Sequence, residues 1–300
     1  MRIIFIAFII LFSNLSKGQV HLLNAKKPAD FEKKSKNIEK PLAFLSNDSI
    51  IEENDVLWSK VVYEKIYLSE KLNFPLLFPV EDDVDKIGRK SLWRILKEYI
   101  IDGLSKDSLS SNFEIYSNDN FSQKEKLTNN QILDQISFEV PNQRLDTVDR
   151  EYILSKHIGE YRIKGIWYFS KRAGELKYRL LGIQPVAASL NDIKNETPNP
   201  KLESTVFWIW YPSIRDELHN HLVFNQRNNN NNITFDDLLV NRRFNSYIYK
   251  YDNVFGDRKI EDYIIQRDGE SDESYRIRFI LESERIKKEI LDFENDMWGY

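Results

Sequence analysis

The clearest pattern of apolar and polar positions lies in the second half of the chain. Apolar side chains alternate with basic ones over residues 161–169 and again over 176–183, and a polar turn that contains Gly174 separates the two runs. Alternation of this kind is typical of strands with one buried face, so the two runs predict a β-hairpin. Four basic side chains are expected on one face of that hairpin: Arg162, Lys164, Lys177 and Arg179.

Two further strands are predicted beyond the hairpin. Residues 205–211 (TVFWIWY) are apolar on both faces, as expected of a central strand covered on both sides or of a strand whose one face lies against another protein. This strand should lie beside the hairpin. Residues 244–251 are rich in tyrosine and predict another strand, which turns at Gly256 and Asp257.

The last 27-residue stretch, 272–298, predicts one long amphipathic helix. Apolar or small residues recur at steps of four and three, and charged residues fill the other positions. Such a helix packs along one stripe and is solvated elsewhere. The stripe consists of Phe279, Ser283, Ile286, Ile290, Phe293 and Met297.

Shorter helices are predicted from their capping residues. Ser91 precedes apolar residues at helical spacing, and Gly103 follows them, which predicts a helix between the two. The spacings Ser213-x-x-Asp216 and Thr234-x-x-Asp237 each resemble a capping box that opens a short helix.

The first half of the chain is less clearly patterned. Residues 55–68 are strongly apolar, but the pattern fits a helix and a strand equally well. Short strands are expected near 113–116 and 136–140. Strands joined mostly as hairpins and interspersed with helices predict an α+β fold with a mostly antiparallel sheet, flanking helices and the long C-terminal helix.

The N-terminus has the features of an export signal. Met1-Arg2 is a short basic start, residues 3–12 are apolar, and Ser16-Lys17-Gly18 supplies small residues at the positions that a signal peptidase reads. We expect a signal peptide over 1–18, cleavage before Gln19 and a periplasmic mature chain. Because the sequence contains no cysteine, a lipid anchor of the bacterial lipoprotein type is excluded, so contact with a membrane is expected only through partners.

Residues 19–49 predict an extended arm ahead of a single domain over 50–300. The arm is rich in lysine and proline and contains few large apolar residues. Leu22 and Leu23 form one of its two apolar patches. Since apolar side chains need burial, this patch should dock either on the body of the same chain or on a neighbour.

Composition narrows the class of function. The 300-residue chain is 41% hydrophobic, which is enough for a substantial core, and its formal charge is −4. This charge becomes −6 when the signal peptide with Arg2 and Lys17 is removed, which argues against a nucleic-acid partner. The absence of cysteine excludes thiolate nucleophiles and cysteine-ligated metals, and the glycine-rich nucleotide loops and the G-x-S-x-G nucleophile motif are also missing. No cofactor is predicted.

The best candidate for chemistry is the segment from Asp216 to His221 (DELHNH). Imidazole and carboxylate groups suit zinc or iron, and a periplasmic hydrolase is the alternative function that this cluster suggests. On a helix, however, His219 and His221 point about 200° apart, so only Asp216 with His219, or Glu217 with His221, share a face. The sequence therefore predicts no metal site and no catalytic residue.

Aromatic and basic residues are better candidates for partner contacts. The basic face of the hairpin suits an acidic protein partner, although it also fits the solvent face of an amphipathic hairpin. Trp208 and Trp210 fit either a core strand, an assembly interface or the wall of a ligand pocket. Trp298, near the chain end, either covers the core or inserts into a neighbour.

Several stretches resemble the GldN/PorN family of gliding-motility and type IX secretion proteins of the Bacteroidetes. The likeness runs collinearly over nearly the whole mature chain and is weakest over 103–150 and at the asparagine tract 228–232. The matching stretches are LLNA at 22–25, DVLW at 55–58, NFPL at 73–76 with FP at 78–79, KYRLLGI at 177–183, RRFN at 242–245, VFGDR at 254–258 and DFENDMW at 292–298.

The resemblance implies a periplasmic, non-enzymatic subunit. Members of the family associate with an outer-membrane lipoprotein, GldK/PorK, to build a ring under the outer membrane, and contact the periplasmic part of the motor protein GldM/PorM. A ring of head-to-tail contacts needs two different patches on each subunit. The arm with Leu22 and Leu23, together with the body of the domain, is one such pair.

Overall fold

The structure, a computed structural model, describes residues 51, 53–82, 90–105, 114–142, 147–198, 200–223, 233–253 and 257–298. The expected signal peptide and arm therefore lie outside the described residues, as do Gly256 and the family-like stretch 22–25. Within the described ranges, helices and antiparallel strands are mixed, which confirms the predicted α+β class.

Seven of the described strands form one antiparallel sheet in the order β2-β8-β6-β5-β1-β9, with β7 paired to β6. Strands β3 and β4 form a separate two-stranded ribbon. Their bounds are β1 Val56–Tyr67, β2 Ile115–Tyr116, β3 Ser137–Asn142, β4 Thr147–Tyr152, β5 Ile158–Ser170, β6 Glu175–Ala187, β7 Ser204–Thr205, β8 Trp208–Trp210 and β9 Tyr247–Tyr251.

The predicted hairpin is confirmed as β5 and β6, and each strand is longer than the alternation predicts. The strands are antiparallel, with Phe169 opposite Leu176. Gly174 in the turn has φ 64°, a conformation that glycine adopts at little cost. The hairpin lies in the middle of the sheet, so its strands are covered on both faces over much of their length.

The ambiguous segment 55–68 is a strand, β1. It pairs with β5 on one side and with β9 on the other. Four consecutive residues, Val61 to Glu64, are buried, because both faces of this central strand are covered. A strand buried on both faces loses period-two alternation, which explains why the sequence pattern was undecided.

Strand β8 confirms the prediction of a covered strand next to the hairpin, but it is only three residues long. It lies between β2 and β6, and its residues are buried on both faces. The strand ends where Tyr211 begins a 3₁₀ turn that contains Pro212. The turn removes one residue from the end of the predicted range 205–211, and at its start residues 206–207 separate β8 from Thr205, which belongs to β7.

The described α-helices are α1 Phe74–Leu77, α2 Leu92–Ser105, α3 Asn129–Ile136, α4 Leu190–Lys194, α5 Arg215–His219, α6 Phe235–Val240 and α7 Asp272–Trp298. Single 3₁₀ turns occur at Glu53–Asp55, Lys71–Asn73, Gln123–Glu125, Ser155–His157, Tyr211–Ser213 and Ile260–Asp262. No described helix is both long enough and apolar enough to cross a bilayer.

Two of the three predicted caps are confirmed. Ser91 Oγ accepts a hydrogen bond from the Arg94 amide (3.1 Å), although α2 continues past Gly103. Thr234 and Asp237 form the predicted capping box of α6. The box at Ser213 is wrong, because Ser213 Oγ donates to the Trp210 carbonyl (2.7 Å) and α5 begins after Ile214 without a side-chain cap.

Helix α7 has the predicted bounds and the predicted buried stripe. Ser283 and Ile286 are fully buried and Ile290 nearly so, while Phe293 and Met297 are half-buried. The helix packs on β9, where Ser283 Oγ accepts a hydrogen bond from the Ile248 amide (2.7 Å), and on β1, where Glu289 pairs with Lys60 (2.9 Å). At the other end of the sheet, α2, α3, α5 and α6 enclose a second part of the core around Trp93 and Phe207.

Candidate functional site

The four basic residues of the hairpin lie on one face of the sheet. In the β5–β6 register, Arg162 is opposite Gln184 and Lys164 is opposite Gly182, while Arg179 and Lys177 are opposite Ile166 and Tyr168. Cross-strand partners point to the same face, and residues 162, 164, 166 and 168 of β5 share a face because they are two apart. A bulge in β6 between Gly182 and Leu180 brings Arg179 and Lys177 onto this same face. We call Arg162, Lys164, Lys177 and Arg179 the basic face.

Lys164 does not reach solvent from this face, because a loop covers it. Its exposed fraction is 7%, and its Nζ donates a hydrogen bond to the Asp119 carbonyl (2.7 Å). The ammonium also lies 5.1 Å from the Tyr63 ring and 5.4 Å from the Phe121 ring. Phe121 lies so close to Gly182 that a Cβ there would come within 2.4 Å of its ring, so glycine allows the loop to settle on the sheet.

Lys164, Asp119 and Lys250 form one group of charges between the sheet and the loop. Burial lowers the pKa of Lys164 to about 8, against the attraction of Asp119. Burial alone would raise the pKa of Asp119, but Lys164, a hydrogen bond from Tyr63 and the nearby Lys250 hold it below its usual range. Lys250 Nζ lies 3.2 Å from the Asp119 carboxylate. This group of charges therefore holds the loop onto the sheet.

Two other members of the basic face have acidic neighbours on their own strands. Arg162 Nε lies 2.8 Å from Glu160 Oε1, and the Arg162 side chain is 24% exposed. Lys177 Nζ lies 3.2 Å from Glu175 Oε1 in an exposed pair. The basic face is thus much less cationic than the sequence pattern suggests, and its predicted contact with a partner stays a prediction.

Trp208 and Trp210 lie in the core of the sheet. Their exposed fractions are 5% and 0%, and the Phe121 ring packs edge-on against both indoles, with centroids 6.1 and 5.0 Å away. A direct contact with a partner would require this face of β8 to open first. The contact of Trp208 and Trp210 with a partner stays a prediction, whereas the structure shows that both residues pack in the core.

One described cavity, of about 410 Å³, lies away from these tryptophans. It is lined by residues at the start of β5 and the end of β1, including Tyr67, Leu68, Ile158 and Gly159, and by Leu202. The hypothesis of an aromatic ligand pocket around Trp208 and Trp210 therefore gains no support from this cavity.

The acidic and histidine-rich segment Asp216 to His221 forms the short helix α5 and the residues after it. His221 Nε2 lies 2.9 Å from Glu217 Oε1, so one of the two pairs that could share a helix face is in contact, although His221 lies beyond the end of α5. His219 and Asp216 are exposed. Among the described residues, no group of three or more histidine and acidic side chains is placed to hold a metal ion.

The remaining predicted interface residues lie at the two ends of the chain. Leu22 and Leu23 lie outside the described residues. Trp298 is the last residue of α7, and its side chain is likewise outside the described part. Their contacts with a partner stay predictions.

The sequence reasoning missed a buried ion pair between β1 and the segment after α6. Glu64 is fully buried, and the Arg242 guanidinium donates to both of its carboxylate oxygens, at 3.0 and 2.6 Å. Ser246 Oγ donates to the same carboxylate. The guanidinium lies 4.2 Å from the centroid of the Tyr178 ring, which in turn lies directly over Gly165. Glu64 is a charged residue inside the apolar run of β1, and this was the feature of the sequence that could have indicated a buried ion pair.

A second polar contact joins the same regions. Asn73 is fully buried, and its side chain donates to the carbonyls of Tyr67 (2.8 Å) and Asn245 (3.0 Å). It also accepts a hydrogen bond from the Asn245 amide (2.8 Å). The asparagine thus ties the end of β1 to the segment that leads into β9.

The comparison with protein families identifies the chain. A family model described as "Gliding motility associated protein GldN" matches residues 51–299. The chain belongs to the GldN family. No curated protein matches it. Membership agrees with the family resemblance predicted from the sequence and assigns the chain to the gliding-motility and type IX secretion apparatus.

Family-like stretches that are far apart in this GldN-family chain meet in the fold. Asn73 of NFPL contacts Asn245 of RRFN, and Arg242 of RRFN lies over Tyr178 of KYRLLGI. DVLW and DFENDMW meet where the Trp58 and Phe293 rings stack with centroids 4.5 Å apart. These stretches therefore build the fold, with their polar and aromatic groups engaged in contacts between elements.

Proposed function

We propose that this chain is a non-enzymatic structural subunit of the gliding-motility and type IX secretion machinery. The family match over residues 51–299 carries the proposal. The export-type N-terminus supports a periplasmic location at the inner face of the outer membrane, with membrane contact made only through partners.

The proposed partners are a GldK-like outer-membrane lipoprotein and the periplasmic region of a GldM-like protein. With the lipoprotein the chain builds a ring, in which each subunit uses two different patches. The arm over 19–49, with Leu22 and Leu23, is the proposed donor patch, because its apolar residues need burial.

A structural role also fits the chemistry of the described polar groups. The buried charged groups described above make contacts between elements: Glu64 with Arg242, and Lys164 with the loop at Asp119. The exposed cluster at α5 contains a single His221–Glu217 pair. These polar groups stabilise the fold, which is consistent with a structural subunit.

Complementation of a deletion strain tests this proposal. The full-length gene should restore gliding on agar and secretion of type IX cargo, and fractionation should place the mature chain in the periplasm with the outer membrane. A variant that keeps residues 1–18 but lacks 19–49 should be exported and folded yet fail to restore either activity. Recovery of the chain from the cytoplasm, or normal gliding and secretion in the deletion strain, would refute the proposal.

A further inference from the structure

Helix α7 has a second regular stripe, which faces away from the core. Its apolar members are exposed: Ile277 by 57%, Leu281 by 63% and Leu291 by 50%. Between them lie two exposed charged residues, and an exposed asparagine follows. We call this set the outer seam: Ile277, Leu281, Glu284, Lys288, Leu291 and Asn295.

The outer seam has the spacing of a helix that packs against another helix. Its residues follow one another at steps of four and three, which is the spacing of the a and d positions of a heptad repeat. At 100° per residue, the seam is centred 180° from Ile286, the middle of the buried stripe. The helix therefore presents one stripe to its own sheet and a second one to solvent.

The outer seam is also symmetric in sequence about Ile286. Leu281 and Leu291 lie five residues before and after that position, and Glu284 and Lys288 lie two residues before and after it. If two copies of α7 cross antiparallel on a two-fold axis at Ile286, Leu281 of each copy faces Leu291 of the other. In the same arrangement Glu284 of each copy faces Lys288 of the other.

We propose that the outer seam binds a second copy of this chain in this antiparallel arrangement. Each layer then pairs an a position with a d position. Charge selects the orientation, because a parallel pair would place Glu284 against Glu284 and Lys288 against Lys288. Opposite charges meet twice in the antiparallel pair, and four leucines flank them.

The inferred contact is small. Helix α7 is about 40 Å long at 1.5 Å per residue, and the outer seam brings only three exposed apolar side chains per copy to the contact. The pair is therefore weak and reversible. A two-fold contact closes at two copies, so it differs from the head-to-tail contacts of a ring and does not depend on the proposed function.

Charge-reversal variants test both the seam and its orientation. In a dimer of Glu284→Lys, each of the two contacts between positions 284 and 288 brings two lysines together. In a dimer of Lys288→Glu, each of these contacts brings two glutamates together. Sedimentation equilibrium of the mature chain should show a concentration-dependent dimer, and each variant should weaken it about tenfold or more. An equimolar mixture of the two variants should restore association as a heterodimer, because each lysine then meets a glutamate.

Two controls separate this contact from general charge effects. Glu203→Lys and Lys201→Glu make the same charge changes at exposed positions outside α7, and they should leave association unchanged. Glu284 also forms an exposed ion pair with Lys287 (2.9 Å), which Glu284→Lys removes, but this loss is the same in the mixture. Circular dichroism should show that all four variants remain folded.

Cysteine cross-linking gives a second measurement, since the natural sequence contains no cysteine. Under mild oxidation, a mixture of Leu281→Cys and Leu291→Cys should form a disulfide dimer faster than either variant alone. A wild-type chain that stays monomeric at every concentration would overturn the inference. So would single charge variants that associate like wild type, or a mixture that fails to recover association.

Discussion

The replacement Arg242→Ala is expected to be among the most damaging single changes in the domain. It removes the guanidinium that donates to both oxygens of the fully buried Glu64 carboxylate. Of the hydrogen bonds described for this carboxylate, only the one from the Ser246 hydroxyl would remain. The cation–π contact between the guanidinium and the Tyr178 ring is lost as well.

The size of the effect follows from the burial of the pair. Removing one member of a buried ion pair costs about 3–5 kcal/mol of unfolding free energy, because the other charge is left without compensation. For a domain of this size, about 2–4 °C in Tm accompany each kcal/mol, so the expected drop in Tm is roughly 6–20 °C. Alanine also keeps the unfavourable backbone conformation at this position, where φ is 52°.

Urea unfolding followed by circular dichroism measures this loss, and the neighbouring residue provides the control. Arg243 is exposed, so Arg243→Ala should stay within about 0.5 kcal/mol of wild type. Adding Glu64→Met to Arg242→Ala should recover part of the stability, because it removes the stranded charge. If Arg242→Ala and Arg243→Ala unfold within 1 kcal/mol of each other, the reasoning about this ion pair is wrong.

Two further predictions concern Lys164 and the histidines. Because the pKa of Lys164 is lowered from 10.5 to about 8 in the folded chain, the unfolded chain binds the extra proton between these values, and stability should rise with pH there. In urea titrations, Lys164→Met should reduce the slope of unfolding free energy against pH by up to about 1.4 kcal/mol per pH unit. The control Lys177→Met, on the exposed part of the same face, should leave this slope unchanged. Replacing His219 and His221 together with alanine should leave gliding and cargo secretion at wild-type levels in the complementation assay, whereas a loss of both with normal protein abundance would revive the hydrolase hypothesis.

Local patterns in the sequence predicted the elements in which buried and exposed positions alternate with one regular period. Helix α7 and the β5–β6 hairpin follow a single period over many residues, so their type was evident and the bounds of α7 were correct. Strand β1 remained ambiguous because its two covered faces remove the alternation. The box at Ser213 failed because its hydroxyl is used by the preceding turn at Trp210.

The candidate site was less predictable because it depends on contacts between distant segments. Alternation placed the basic residues on one face correctly, but it did not reveal that the loop at Asp119 and Phe121 covers Lys164. The pair of Glu64 and Arg242 joins residues 178 positions apart, and no local pattern marks such a pair. The family resemblance marked RRFN as a stretch of interest, and the fold explains what Arg242 and Asn245 contact.

The size of the particle formed with a GldK-like lipoprotein tests the central claim most directly. The full-length chain should be co-expressed with the lipoprotein encoded in the same genome, and the complex purified from the outer membrane and imaged by electron microscopy. The account predicts ring-shaped particles that contain many copies of both proteins. A complex that remains a monomer or a small oligomer under these conditions would contradict the claim that this chain is a ring subunit.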